Sequence, residues 1–415
     1  MTVFKGGRIS GTVSPPPSKS RTHRAVFMAS MADGESNITN ALVSDDTMST
    51  VEACRSLGAE VDVSGCDMKV QGGFLHAPVD TVDVGNSGTT LRIMTAVCSA
   101  FKGTTTITGD ASLSKRPMQP LLDALSENGV ECTSEDGHAP VTVKGPNWGG
   151  DFYVDGSQSS QFVTALMMAA PMFGTGSEIF ITGDRVSMPY IDLTAFMMAE
   201  VGVYIEETPD GYFVENNGYS PRDYRIPPDY SSAAFPMVAA ALGGKVTVKG
   251  MDPQDPQGDI AIIDILRSAG AYVTVRDDRI TVERNILRGC DIDMSGTPDL
   301  FPVTAVLLST AEGDSRLRGA PHLRFKESDR IASTVAMVNA LGGSAEETDD
   351  GCIVHGVGRL AGGKVDACGD HRIAMSAAVA SLVCDGDVEV DGMQCCSASY
   401  PGFVKDMKSV GLEAE

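Results

Sequence analysis

The sequence predicts an α/β chain of two domains, built from six related units, three to a domain, with buried helices inside and strands outside. Three observations carry this. Apolar helical patterns recur at a near-constant interval, β-rich runs closing in Gly follow them in phase, and 415 residues exceed what a single core usually holds.

Six apolar segments end in Gly: 18–34, 87–103, 159–174, 230–244, 298–313 and 370–386, with the terminal glycines 69, 71, 70, 69 and 73 residues apart by subtraction. A second set of helical patterns ends at Gly58, Gly129, Gly202, Gly270, Gly342 and Gly411. Both sets supply the Gly that a left-handed C-cap needs. First-set stretches such as 162–171 and 374–383 are rich in Ala, Met, Val and Leu and poor in charge, so they are expected to be buried on most faces. Second-set stretches such as 259–269 and 330–340 are amphipathic and are expected to lie outside.

The strand signals are runs such as Thr104 to Gly109, Ile179 to Gly183, Val246 to Gly250 and Val388 to Gly392, with a further short strand such as Ala271 to Val275 after each second-set helix. Each unit thus holds two helices among roughly four strands. One unit buries too little core to be secure alone, so units share cores. The break between triplets falls at Asn216 to Arg222, ahead of Pro227-Pro228, and Pro15-Pro16-Pro17 is a second crossing point. One domain is expected over 14–226, the other over 1–13 plus 227–415.

Composition excludes several classes. A net charge of −23 speaks against a nucleic-acid or anionic-membrane partner. No apolar run approaches the roughly 20 residues of a membrane helix, and the start lacks a signal-peptide core, so the cytosol is expected. The ten Cys show no CxxC spacing and the six His are dispersed, so neither a disulfide framework nor a metal site is expected. GxxxxGK[ST], GxSxG and HExxH are absent, and Gly356 to Ala361, although it fits a dinucleotide pattern, runs into Gly-rich sequence and reads as a turn. Nothing requires more than a monomer.

Polar residues crowd the starts of the buried helices: Lys19, Ser20 and Arg24; Asn86, Gly88 and Arg92; Ser159, Ser160 and Gln161; Asp229 with Ser231; Asp299; and Asp370 with Arg372. Helix N-termini carry unpaired N–H groups and a positive dipole end, so they suit anions. Capping explains the Ser and Asp residues. It does not explain cations there, which oppose the dipole, whereas a phosphate or carboxylate ligand does. Arg116, after Lys115 and before Pro117, adds another cation. The densest charge lies at Arg324-Phe325-Lys326-Glu327-Ser328-Asp329-Arg330; helical spacing there would set Lys326 and Arg330 on one face beside Glu327.

Seven ordered motifs give these cations a family. Pro17-Ser18-Lys19-Ser20 with Arg24, Gly85 to Thr89 with Arg92, Lys115-Arg116-Pro117, Asp155 to Phe162, Val186 to Asp192, Arg324 to Arg330, and Asp370 to Met375 closely resemble the 5-enolpyruvylshikimate-3-phosphate (EPSP) synthases, over residues 1 to about 405. The resemblance implies the enolpyruvyl transferase fold, two inside-out α/β barrel domains of three pseudo-repeated units each, closing around shikimate 3-phosphate and phosphoenolpyruvate. It implies that Lys19, Ser20, Arg24, Ser159, Ser160, Gln161, Ser187, Tyr190, Asp299 and Lys326 contact shikimate 3-phosphate, with the phosphate on Ser159 and Ser160 and Tyr190 against the ring. Phosphoenolpyruvate would meet Lys19, Gly88, Arg116, Gln161, Arg330 and Arg372, with Asn86 and Gly88 setting the room beside it, where glyphosate competes in this family. Asp299 would handle the hydroxyl proton, and Glu327 with Lys19 the methyl proton. The family needs no metal or organic cofactor.

Three positions depart from the family. Pro17 stands where Gly is frequent, His322 where Asn is frequent, and Ala398 where many members carry Lys before [ST]-[FY]-P. Loss of one charge-assisted hydrogen bond of about 1.5–3 kcal/mol would weaken phosphoenolpyruvate roughly ten- to a hundredfold unless another cation, such as Lys405, substitutes. Two alternatives share the repeats. Enolpyruvyl transfer to a UDP-amino sugar uses a loop Cys, which the segment 110–117 lacks. A non-catalytic scaffold for phosphorylated ligands would not require Asp299 or Glu327 among the cations.

Overall fold

The computed structural model describes residues 1–415. Twelve α-helices run in chain order: α1 (Lys19–Met31), α2 (Asp45–Ser56), α3 (Gly88–Cys98), α4 (Gln119–Glu127), α5 (Ser160–Ala169), α6 (Met188–Glu200), α7 (Tyr230–Gly243), α8 (Ile262–Ser268), α9 (Phe301–Leu308), α10 (Arg330–Ala340), α11 (His371–Ala380) and α12 (Phe403–Ser409). Odd-numbered helices are the first set and even-numbered ones the second. The apolar composition of the first set has the consequence expected of it: every residue of α7 and of α9 is buried, and α7, α9 and α11 pack pairwise. No helix is long and apolar enough to cross a membrane.

Each pair of helices is served by one of six four-stranded sheets, all wired alike. The strand before an odd helix lies parallel to the strand after it, as Gly150–Asp155 does to Ser177–Thr182 around α5. A hairpin following the even helix then adds two antiparallel strands, here Ile205–Thr208 and Gly211–Val214. Three sheets are closed by distant chain, one of them by Ile9–Val13, the parallel first strand beside Gly244–Lys249. Tyr224–Arg225 supplies the parallel first strand beside Glu35–Thr39, and Thr2–Lys5 sits between Val388–Asp391 and Glu413–Ala414.

The chain forms two compact units, residues 1–16 with 227–415, and residues 17–226. Each has its own continuous apolar core, one built around α7, α9 and α11, the other around α1, α3 and α5.

Two local expectations are corrected. The second-set glycines follow their helices with φ between +82° and +109°, as C-caps do, but the first-set glycines do not play that part. Gly103 and Gly244 instead open the next strand, and a Cβ on Gly244 would lie 2.0 Å from the Ile9 carbonyl oxygen. The second correction concerns residues 326–329, which are not helical. Pro321–Phe325 is a 3₁₀ turn, Lys326 is extended, and α10 begins only at Arg330, because Asp329 caps it by accepting from the Ala332 N–H at 3.1 Å.

Candidate active site

In the unit of residues 17–226, four helix starts, those of α1, α3, α5 and α6, hold the predicted residues, with Arg116 just ahead of α4. Lys19 opens α1, and its Nζ donates to Asp46 at 3.0 Å, so this first-turn cation is balanced by an acid in the first turn of α2. Arg24, one turn on, is buried and clamps α1 to α6. Its Nε donates to Thr194 at 2.9 Å, Nη2 to the Tyr190 carbonyl at 2.9 Å and Nη1 to the Ser20 carbonyl at 3.0 Å. Burial lowers its pKa to about 10, which leaves it charged. Arg24 therefore fixes both Ser20 and Tyr190. Ser187, at the left-handed N-cap of α6 with φ +52°, lies three residues before Tyr190.

A second cluster forms around the start of α3. Asn86 donates to Asp110 at 2.7 Å and accepts from the Arg116 Nη2. Arg92 lies over the Phe162 ring at 5.0 Å and donates to Gln161 Oε1 at 2.5 Å, while Gln161 Nε2 donates to Thr89 at 3.0 Å. Gln161 belongs to the first turn of α5, after Ser159, which caps that helix by accepting the Gln161 N–H at 3.2 Å, and Ser160; both serines are buried. Gly88 lies where these groups converge, since a Cβ there would sit 3.0 Å from Arg116 Nη1 and 3.4 Å from Arg92 Nη1.

In the other unit, the starts of α10 and α11 build an ion cluster on Arg330. This guanidinium is 1% exposed and donates to Asp299 at 2.9 Å, Glu327 at 2.6 Å and Asp370 at 2.9 and 3.3 Å. Arg372, also buried, donates to the second oxygen of Asp299 at 2.9 Å and lies over Phe235. Burial opposes the charge on Asp299, but Arg372, Arg330 and Lys326 outweigh it and hold the carboxyl well below the ordinary range. Burial likewise disfavours the Arg330 cation, and Asp370, Glu327 and Asp299 overcome it, raising its pKa. Asp259, capped by a hydrogen bond from Ser231 Oγ, is pushed up to about 7 by burial and by Asp299. His322 is lowered to about 3 by burial, Lys326 and Arg330, and so is neutral at pH 7.

The structure thus joins Asp299, Glu327, Arg330 and Arg372 directly, and Asn86, Gly88, Arg116 and Gln161 likewise. Arg324 turns elsewhere, to Asp329, Glu347 and the Thr348 carbonyl. Lys405 is an exposed residue of α12. Sequence reading missed three supporting groups. Asp46 reads as an ordinary first-turn acid, and Asp370 as an N-cap, which it also is, accepting the Arg372 N–H at 2.9 Å. Arg92, flagged only as a helix-start cation, also holds Gln161, a partner that spacing does not reveal. A carboxylate left over near an excess of helix-start cations is the signal that would have found the first two.

The model of the EPSP synthase (3-phosphoshikimate 1-carboxyvinyltransferase) family matches residues 3–407. The chain belongs to the EPSP synthase family. It is a transferase, and relatives named 3-phosphoshikimate 1-carboxyvinyltransferase match it end to end. That of Methanocorpusculum labreanum is 48% identical over 99% of this chain and 98% of its own, and that of Methanocaldococcus jannaschii 41% over 100% and 99%. The relative from Halobacterium salinarum is 42% identical over 98% of each. Among solved structures, an EPSP synthase of Acinetobacter baumannii superimposes with a TM-score of 0.82 at 27% identity, over 100% of this chain and 99% of its own. The fold is therefore the one that the resemblance implies, and its six sheets match the six units read from the spacing of glycines.

Proposed function

We propose that this chain transfers the enolpyruvyl group of phosphoenolpyruvate to the 5-hydroxyl of shikimate 3-phosphate, releasing phosphate. The observation that carries the proposal is that one carboxylate, Asp299, is gripped by both Arg330 and Arg372. Those cations are the ones assigned to phosphoenolpyruvate, so the acid and the anion grip form a single arrangement. A scaffold that only binds phosphorylated ligands gains nothing from tying its cations to a carboxylate.

Shikimate 3-phosphate meets Lys19, Ser20, Arg24, Ser159, Ser160, Gln161, Ser187, Tyr190, Asp299 and Lys326. Phosphoenolpyruvate meets Lys19, Gly88, Arg116, Gln161, Arg330 and Arg372, beside Asn86. The substrate hydroxyl oxygen adds to C2 while C3 gains a proton, and the hydroxyl proton passes to Asp299. Phosphate then leaves from C2 as C3 gives up a proton, through Glu327 and Lys19, which restores the double bond. The arginines offset phosphate charge and grip the carboxylate in bidentate fashion. The protein works as a cytoplasmic monomer on these two small molecules. Phosphate release from phosphoenolpyruvate that depends on added shikimate 3-phosphate, and not on a UDP-amino sugar, is the expected outcome; release driven by the sugar overturns the assignment.

Gly88 gives a local test. Its missing Cβ leaves room that Arg116 and Arg92 border at 3.0 and 3.4 Å, so Gly88→Ala pushes Arg116 off its line. The phosphoenolpyruvate KM is expected to rise about tenfold, with the shikimate 3-phosphate KM nearly unchanged. An unchanged phosphoenolpyruvate KM places that substrate elsewhere.

A further inference from the structure

One helical turn inward from the Lys19–Asp46 ion pair lies a run of polar side chains that the reaction does not use. His23 is four residues from Lys19 in α1 and Thr50 four from Asp46 in α2, so each follows its partner along one face. His23 Nδ1 lies 2.6 Å from Thr50 Oγ1, which lies 2.7 Å from Thr90 Oγ1, which lies 2.6 Å from Ser87 Oγ. Ser87 is the N-cap of α3 and also accepts the Thr90 N–H at 3.3 Å. All four side chains are 0–1% exposed.

A core filled for packing alone would use Val at such positions, because every buried hydroxyl must find a partner. Here four polar groups from three helices satisfy one another in series, and such a network fixes one geometry where apolar contacts tolerate several. His23 Nε2 meets no polar partner. Orphaned buried N–H groups are rarer than orphaned acceptors, so the imidazole proton belongs on Nδ1. His23 then donates to Thr50, Thr50 to Thr90 and Thr90 to Ser87. The series ends at the turn Asn86–Gly88, where Asn86 holds Arg116.

We propose that His23, Thr50 and Thr90 are positioning residues for enolpyruvyl transfer, their hydrogen-bonded series locking the Lys19 turn of α1 to the Asn86–Gly88 turn that opens α3. The proposal rests on the reading that Lys19, Gly88 and Arg116 meet phosphoenolpyruvate.

Thr50→Val keeps the side-chain shape and cuts both links, while Thr50→Ser keeps the hydroxyl. In steady-state kinetics Thr50→Val is expected to raise the phosphoenolpyruvate KM about tenfold, several-fold more than it changes kcat or the shikimate 3-phosphate KM, to which Lys19 also contributes, and Thr50→Ser to restore it. In an Arg116→Ala background Thr50→Val should add less than about twofold, because both changes act on one contact. Equal rises in both KM values, or full multiplication of the two effects, overturn the proposal, as does a lower Tm with unaltered KM. A measurement on the unaltered protein covers the case of a variant that does not fold: ¹⁵N NMR of its histidines should show His23 neutral with the proton on Nδ1, and a proton on Nε2 overturns the series. If the unaltered protein shows no release of phosphate dependent on shikimate 3-phosphate, the reading of the reaction fails and this proposal with it. Normal turnover with unmoved Thr50→Val kinetics overturns the positioning role alone.

Discussion

Arg330→Met should lower stability by about 3–5 kcal/mol at pH 7 and abolish turnover, since breaking a buried ion cluster on one side leaves uncompensated charge. The guanidinium is 1% exposed and serves three carboxylates, Asp299, Glu327 and Asp370. Methionine fills much of its volume, so the loss is electrostatic rather than a cavity. The dependence on pH has a fixed sign. In the unaltered protein Asp299 has a folded pKa below its unfolded one, so its contribution is present above about pH 4 and fades only as pH falls through the lower folded value. In the variant the clustered carboxylates gain from protonation, so the gap between the two proteins should narrow as pH drops from 7 toward 5. Urea midpoints at both pH values measure it. Arg324→Met is the control: its guanidinium is 31% exposed, and its loss is expected to change stability by less than about 1 kcal/mol. A gap for Arg330→Met that is as small, or constant with pH, contradicts the cluster's role.

Glu327→Gln is expected to lower kcat about 10²- to 10⁴-fold with far smaller changes in either KM, as loss of a proton-transfer group does. Glu327 is partly open, 18% exposed, and touches Arg330 at 2.6 Å, so the amide keeps shape and loses the charge and the capacity to carry a proton. An intact kcat would remove Glu327 from the chemistry. Asp299 adds a constraint. With an arginine on each oxygen it is a feeble base in the free protein. On the proposed reading, phosphoenolpyruvate draws Arg330 and Arg372 toward its own anionic groups, and Asp299 gains basicity only when both substrates are bound. Asp299 should therefore place its acid limb at a higher pH in kcat than in kcat/KM.

Much of the fold was legible because the repeats are spelled in glycines and apolar runs. Burial of α7 and α9 on all faces follows from their lack of charge, and Asp329 stopping the helix short of Lys326 follows from capping chemistry that a simple spacing argument overrode. Long-range pairing was not legible. Nothing in Thr2–Lys5 says that it lies between strands nearly 400 residues on, because β pairing is decided by tertiary fit. The site was legible at its cations, whose placement at helix starts defies the dipole unless something anionic answers. Part of that answer turned out to be internal. Asp46 and Asp370 neutralise Lys19 and Arg330, and single-chain spacing does not reveal a partner 27 or 40 residues away.

The strand Thr2–Lys5 also dictates an order of assembly. It is the third member of a sheet whose other strands are made last, so the opening residues of the chain must wait, unpaired, while nearly everything else is synthesised. Residues 17–226 have no such dependence and can reach their native pairing on the ribosome while the host that brackets them is still incomplete. Nascent chains are therefore exposed to edge-to-edge aggregation chiefly through the host's unfinished sheet, and the shielding comes only when the carboxyl-terminal strand is released.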